Sequence, residues 1–238
     1  MNSLELFKTQ KFYQIDISIL KDLGYDVLLS NRIFDSLLFW KYDILFSYFY
    51  RYSFFAALLA KCFGKKTYFT GGIDSLDSDY ASAFNYKIQA LFFKLCYWVA
   101  DSCIIVSQSD LKNIFKVSSL KKKLSYSEHV INTKLFIADV PKEKIFTSIV
   151  WMGDEGNVVR KGVDKALQIF AELKKIPEFV DYRFVIIGRK GEGEVLVRSI
   201  IDKYNLKGSV ELKGEVSEED KINLLKQSKY YFQLSLYE

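Results

Sequence analysis

At 238 residues, half of them hydrophobic and about a quarter charged, the chain can bury one large core or two smaller ones, which excludes a disordered or low-complexity protein. Net charge is +5, carried as 17 Lys and Arg against 13 Asp and Glu over residues 1–140 and 17 against 16 beyond them. The excess is small and accompanies no nucleic-acid motif, so no nucleic-acid partner is expected; a solvated face is the first reading and an anionic membrane surface the second. Three cysteines without a Cys-x-x-Cys pair read as buried thiols in a reducing compartment, and His129, the one histidine, cannot build a histidine metal centre. Aromatics, at 16%, read first as bulky core and second as a sugar- or lipid-facing surface. The N-terminus lacks the basic-then-apolar order of a signal peptide. The apolar stretch Ile33–Phe63 is cut by Lys41, Asp43 and Arg51 into pieces shorter than the roughly 20 residues of a membrane helix. A cytoplasmic protein is expected, with peripheral contact at the inner face of the membrane as the second reading.

In chain order, Phe12, Ile15, Ile19 and Leu23 recur at helical spacing, and Tyr25–Ser30 reads as a strand after Gly24. Asp43–Tyr48 predicts a strand, Ser53–Phe63 a helix stopped by Gly64, and Lys66–Thr70 a strand running into Gly71-Gly72. A long helix over about Tyr80–Ala100 is expected, capped from Ser75–Asp79. Cys103–Ser107 reads as a strand and Ser109–Phe115 as a short helix. The pattern restarts near Pro141. Lys144–Gly153 predicts a strand, and Val163, Ala166, Leu167, Phe170 and Ala171 form a helical stripe. Asp181–Gly188 is a strand, Val197, Ile200, Ile201 and Tyr204 the next stripe, and Gly208–Gly214 a strand. Ser217–Asp220 resembles a capping box, and Tyr230–Leu234 reads as a buried strand before a turn at Ser235. The rhythm predicts α/β architecture: two doubly wound parallel-sheet domains, 1–140 and 141–238, the second with four strands and no covering helix after the last.

Ligands collect at the carboxyl ends of parallel strands, so four loops matter. Arg160-Lys161-Gly162 is expected to open a helix, where two cations and a helix N-terminus converge on phosphate; two solvated cations at a helix start would be electrostatically disfavoured. Gly188, Gly191 and Gly193 form a tight strand-to-helix turn that lets backbone approach a ligand, although the spacing is not that of a dinucleotide fingerprint. Gly71-Gly72 leads to Asp74, Asp77 and Asp79, which lack the spacing of a calcium loop and read better as helix caps. Glu238 delivers a carboxylate that pairs well with sugar hydroxyls.

Taken in order, RKGVDKALQIF (Arg160–Phe170), FVIIG (Phe184–Gly188), SVELKGEVSEEDKINLLKQSKYYFQLSLYE (Ser209–Glu238) and the earlier HVINTKLF (His129–Phe136) resemble the family-4 (group 1) glycosyltransferases of the GT-B fold. The resemblance is strongest over Phe146–Glu238 and looser but continuous over about Phe12–Phe136. It implies two Rossmann-like domains, with a nucleotide-sugar donor mainly on the C-terminal one and a glycan or lipid-linked acceptor on the N-terminal one. It implies retaining, hexosyltransferase-type chemistry with no metal and no cofactor, in cell-surface polysaccharide assembly. Arg160 and Lys161 match the basic pair that holds the donor diphosphate in place of a divalent cation. Gly188 falls at the nucleotide-binding turn, Val216 matches a position whose backbone reads the base, and Glu238 matches the first, catalytic acid of E-x7-E. Gly71 and Gly72 form the acceptor-side loop, in which Asp74 stands as the catalytic candidate where the family often has a His. The sequence departs from the pattern in ELFKTQK, which has no Gly, and at Val130 and Asn132, where Gly and Asp are usual. The family continues past the first acid into a Gly-rich turn and a helix bearing the second acid, so the resemblance implies a C-terminally truncated transferase with an incomplete second domain, unstable or inactive in isolation. The alternative is a non-catalytic nucleotide-sugar-binding module.

Overall fold

The computed structural model describes residues 3–73, 76–77, 81–117, 121–137 and 139–235. It divides into two compact units, Met1–Ile131 and Asn132–Glu238. No helix among the described residues is long and apolar enough to cross a membrane.

The first unit opens with α1 (Ser3–Thr9) and α2 (Lys11–Asp22) and continues through two short 3-10 turns to β1 (Ile44–Tyr48), α3 (Tyr50–Cys62), β2 (Lys66–Thr70), α4 (Ala83–Val99), β3 (Ser102–Ile105), α5 (Gln108–Val117) and β4 (Leu124–Tyr126). Its strands are all parallel and lie in chain order, β1-β2-β3-β4. One face of the sheet, with Phe69, Cys103 and Ile105, packs against Tyr50, Phe54 and Ala57 of α3, Phe93, Cys96 and Tyr97 of α4 and Ile114 of α5. Three helices on one face is what right-handed crossovers in a single direction require. Tyr48 points to the other face, where its ring meets Phe7, Phe12 and Tyr13 and its hydroxyl donates to Asp16 Oδ2 at 2.7 Å. Burial, then the Asp16 carboxylate, pushes the Tyr48 phenol above the ordinary tyrosine range.

Several expectations are corrected here. Tyr25–Ser30 is not a strand: it finds no hydrogen-bonded neighbour among the described strands, and Tyr25, Leu28 and Leu29 stay exposed. The stripe on α2 is no core stripe either, because Tyr13 is the buried residue while Ile19 and Leu23 are exposed. The long helix is capped by Ser82, whose side chain accepts from Asn85 N at 3.3 Å. Of the cysteines, Cys96 and Cys103 are buried but Cys62, in the last turn of α3, is exposed. Burial pushes the Cys103 thiol up to about 12. The basic run at Lys121–Lys123 is partly structural: Lys123 Nζ donates to Tyr97 O, Trp98 O and Ala100 O at 3.2, 3.1 and 2.6 Å, closing the carbonyl end of α4.

Asp101 ties this unit together. Its carboxylate accepts from Thr67 N and from Lys61 Nζ, each at 2.8 Å. Burial pushes the acid up, but the Lys61 and Thr67 bonds outweigh it and hold the carboxyl below the usual aspartate range. A depressed folded pKa contributes stability above the unfolded value near 3.9, lost as pH falls through the folded pKa. We therefore expect Asp101→Asn to destabilise by about 1 kcal/mol at neutral pH, a part-exposed charged hydrogen bond being worth less than a buried one. Urea midpoints should show that gap closing on acidification; a gap that is constant down to strong acid would contradict it.

The second unit runs β5 (Glu143–Ile149), α6 (Glu155–Arg160), α7 (Val163–Leu173), β6 (Arg183–Ile187), α8 (Glu194–Lys203), β7 (Val210–Gly214), α9 (Glu218–Gln227) and β8 (Ser228–Tyr231). The sheet is parallel, in the order β7-β6-β5-β8. Period-two alternation serves both faces: Phe146, Phe184 and Ile186 pack with α6, α7 and α8, whereas Ile145, Val185 and Ile187 pack with Leu224 of α9. The predicted stripe on α7 is buried throughout. Ser217 caps α9, accepting from Asp220 N at 3.0 Å and donating to Asp220 Oδ2 at 2.6 Å. The unit begins before the expected boundary at 140, because the turn Thr133–Phe136 packs on α9 and Asp139 pairs with Lys226 at 3.5 Å. The final strand is less buried than expected: among the described strands β8 pairs with β5 alone, Tyr230 and Tyr231 are exposed, and Phe232 beyond it packs against the core.

Candidate functional site

In the second unit β5, β6 and β7 are laid down in one direction and β8 returns to the other side of β5. Strand order thus reverses between β5 and β8, and in open parallel sheets the ligand crevice lies outside the carboxyl ends at that reversal. Past β5, Val150 N donates to Ile187 O and Met152 N to Arg189 O, both at 2.9 Å, so the chain stays tied to the β6 side. Asp154 then starts α6, its Oδ1 accepting from Asn157 N at 2.7 Å. The helix ends at Arg160, Lys161 is its C-cap, and Gly162, with φ at 67°, begins α7.

The basic pair directly precedes α7, whose N-cap is Gly162, as expected, but it also closes the short α6, a helix that was not expected. The reason is local. Asp154 caps a turn in what reads as a polar loop, and the C-terminal end of that turn is where a helix dipole favours cations. Arg160 Nη2 donates to Asn157 Oδ1 at 3.1 Å, one turn back on α6, which sets the guanidinium plane.

Both loops that flank the strand reversal meet at Gly162. A Cβ there would stand 2.1 Å from Leu234 O, in the segment after β8. The cation pair from the β5 loop and the exit of β8 are thereby fixed together. Asp164, in the first turn of α7, has a buried Oδ1 with no hydrogen-bond partner among the described residues, an acceptor that a ligand hydroxyl or a water would satisfy. Glu238 lies outside the described residues.

Trp151 was not singled out from the sequence. It is 55% exposed at the carboxyl end of β5, and its indole lies over Gly153, where a Cβ would be 2.8 Å from Trp151 Cε2 and 3.0 Å from Asn157 Nδ2. Trp151 and Asn157 thus both border Gly153, and Asn157 in turn holds Arg160. The glycines after β6 have a role that the sequence did not reveal. A Cβ at Gly188 would be 1.9 Å from Val150 O, at Gly191 2.5 Å from Met152 O, and at Gly193 2.4 Å from Asp154 O. The backbone they admit is the chain's own β5 loop, so Gly188 supports the cation-bearing loop from beneath. Val216 packs its side chain against Ile145, Val185, Ile187 and Leu224.

In the first unit Gly71 and Gly72 directly follow β2, and Ile73 N donates to Asp110 Oδ2 of α5 at 3.2 Å. Asn113 of α5 donates to Asp77 Oδ2 at 3.3 Å, so two α5 side chains moor the loop after β2. Neither had been assigned a role from the sequence, because the contacts span more than 30 residues. Phe49, at the tip of β1, has φ at 65° and places its ring 3.5 Å from where a Gly71 Cβ would be. Asp74 lies outside the described residues. Among those residues, no group of three or more His, Cys, Asp or Glu could hold a metal ion.

Residues 156–238 match the family Glycosyl transferases group 1. No curated protein sequence matches the chain. Among solved structures, TarM from S. aureus superposes with a TM-score of 0.65 at 17% identity, over 82% of this chain and 36% of its own. Anabaena HepE in complex with UDP gives 0.66 at 12% identity, over 85% and 56%. Sucrose-phosphate synthase from Thermosynechococcus elongatus gives 0.63 at 16% identity, over 98% and 56%. The chain thus spans between about a third and somewhat over half of the length of these structures. It is an α/β protein with the fold of the GT-B glycosyltransferases, and its residues 156–238 match the group 1 glycosyl transferases.

Proposed function

We propose that the chain is part of a retaining glycosyltransferase that moves a hexosyl group from a nucleotide-sugar donor to a glycan or lipid-linked acceptor. The proposed setting is surface-polysaccharide assembly at the cytoplasmic face of the membrane. The observation that carries this reading is the junction of α6 and α7. Two cations sit there at the strand-order reversal, one of them aimed by Asn157, on a turn clamped by the exit of β8. A guanidinium and an ammonium so placed would grip the donor diphosphate and compensate the negative charge that grows as the nucleoside diphosphate leaves, the work a divalent cation does elsewhere. Trp151 would offer an apolar face to the nucleotide or sugar beside that grip. That HepE was solved with UDP supports UDP as the first nucleotide to test.

Titration calorimetry of the chain with a panel of nucleoside diphosphates tests the reading directly. Binding that Arg160→Ala weakens about a hundredfold or more is the expected result. Binding that this change leaves untouched would remove the diphosphate grip. Transfer assays with nucleotide sugars then separate a transferase from a binding module.

A further inference from the structure

The outer face of α4 is explained neither by the core nor by donor chemistry. Gln89, Phe93, Cys96 and Tyr97 turn inward and are buried. Phe84, Leu91 and Trp98 remain 72%, 55% and 70% exposed. These three recur every seven residues, with Lys87 and Lys94, also exposed, between them, so all five fall on one stripe of the helix. Neither α4 nor its neighbour α3 contains an acidic residue. Helix α3 packs on α4 through Phe54 and Phe92, with ring centroids 6.1 Å apart, and presents Tyr52 and Phe55 to the outside.

A helix face that water alone covers mixes charges of both signs and rarely lines up large aromatics. Here the line from Phe84 to Trp98 is about 21 Å long at 1.5 Å per residue. It combines Trp, Phe and Leu with cations alone, the composition of a helix that lies in the plane of a lipid headgroup layer. A second copy of the chain is a poor occupant. A two-fold contact on this stripe would set Lys87 and Lys94 against the same cations, with no carboxylate on either helix to answer them.

We propose that the outer face of α3 and α4 docks the chain on an anionic lipid surface. Trp98, Leu91 and Phe84 enter the headgroup boundary, and Lys87 and Lys94 extend along the apolar surface to the lipid phosphates. The inference deepens the peripheral membrane contact in the reading above and is independent of sugar transfer.

Co-sedimentation of the 238-residue chain with phosphatidylcholine vesicles, with and without phosphatidylglycerol, tests it without any nucleotide. Partitioning should require phosphatidylglycerol and weaken with added salt. K87E/K94E should lower it by at least about thirtyfold, the loss of two attractive lysines alone, with the two new carboxylates repelling the surface in addition, and F84A/W98A should abolish it. K203E/K207E, at the end of α8 and in the turn after it in the other unit, should leave it unchanged. All these side chains are exposed, and circular dichroism checks that each variant is folded. The proposal is overturned if the chain ignores phosphatidylglycerol vesicles, or if K203E/K207E costs as much as K87E/K94E. It is also overturned if F84A/W98A converts a dimer to a monomer without changing vesicle binding. Loss of nucleotide binding in Arg160→Ala with vesicle binding intact would show the two surfaces failing or standing separately.

Discussion

Gly188→Ala is expected to unfold the second unit at markedly lower urea than the parent, with a loss of about 3 kcal/mol or more. Two effects add. With φ at 133° the backbone is in a region that a Cβ disfavours by roughly 1–2 kcal/mol. The new methyl would also stand 1.9 Å from Val150 O, a backbone atom held in place by the Val150 N to Ile187 O bond. Overpacking against a fixed backbone costs about 1–3 kcal/mol more. Gly162→Ala should behave alike, with Leu234 O 2.1 Å away and φ at 67°. Gly208→Ala is the control: φ is 84°, but nothing lies within 4 Å of its Cβ, so it bears the conformational cost alone, about 1 kcal/mol. Trp151 is the one tryptophan between 132 and 238, so its fluorescence in a Trp40→Phe, Trp98→Phe background reports this unit. Midpoints for Gly188→Ala no lower than for Gly208→Ala would show that the loop after β6 can move away from the β5 loop. A difference of 2 kcal/mol or so in a domain whose whole margin is roughly 5–15 kcal/mol would show that it cannot.

The second unit was the more legible because its periods are clean. Strands β5 and β6 alternate between two buried faces, and the stripe from Val163 to Ala171 repeats at helical spacing, so pattern and packing agree. Helix α6 escaped because six residues containing Gly156 and the pair Val158-Val159 have poor helix propensity, and what holds them is the Asp154 cap and the burial of Val158. Residues 25–30 misled for the opposite reason. Their apolar pattern suits a strand, but a strand is made by its neighbour, and periodicity does not supply one. At three residues, β4 is below the length at which any period can be seen. In the site, Arg160 and Lys161 were visible as cations beside a glycine. Asn157, Trp151, Asp110 and Asn113 were not, since each acquires its role from a tertiary contact. Glycine itself was legible as a requirement but not as a reason: Gly188, Gly191 and Gly193 admit the β5 loop rather than a fingerprint's ligand.

Arg160→Ala should cut affinity for nucleoside diphosphate, and turnover where the full active site is present, by about 10²–10³, the loss seen when one preorganised charge-stabilising donor is removed. Arg160→Lys should recover only part of this, since an ammonium keeps the charge but not the two-pronged geometry. The structure makes a sharper prediction one turn earlier. Asn157 Oδ1 accepts from Arg160 Nη2 at 3.1 Å, so Asn157→Ala should leave the guanidinium charged but without this bond and weaken diphosphate binding about tenfold, the scale of one hydrogen bond to a charged group. The cap on α6 uses the Asn157 backbone amide, which the change does not touch, so a fall in affinity without a fall in urea midpoint would mark positioning and not folding. Asn157→Asp retains the acceptor oxygen at the same reach but sets a negative charge beside the diphosphate, so it should orient the guanidinium and still bind less tightly than the parent. The double change Asn157→Ala, Arg160→Ala should bind no worse than Arg160→Ala alone, because Asn157 acts through the arginine. Additive losses in that double variant would mean that Asn157 touches the ligand itself, and an unchanged affinity in Asn157→Ala would mean that Lys161 and the turn at Gly162 aim the site without it.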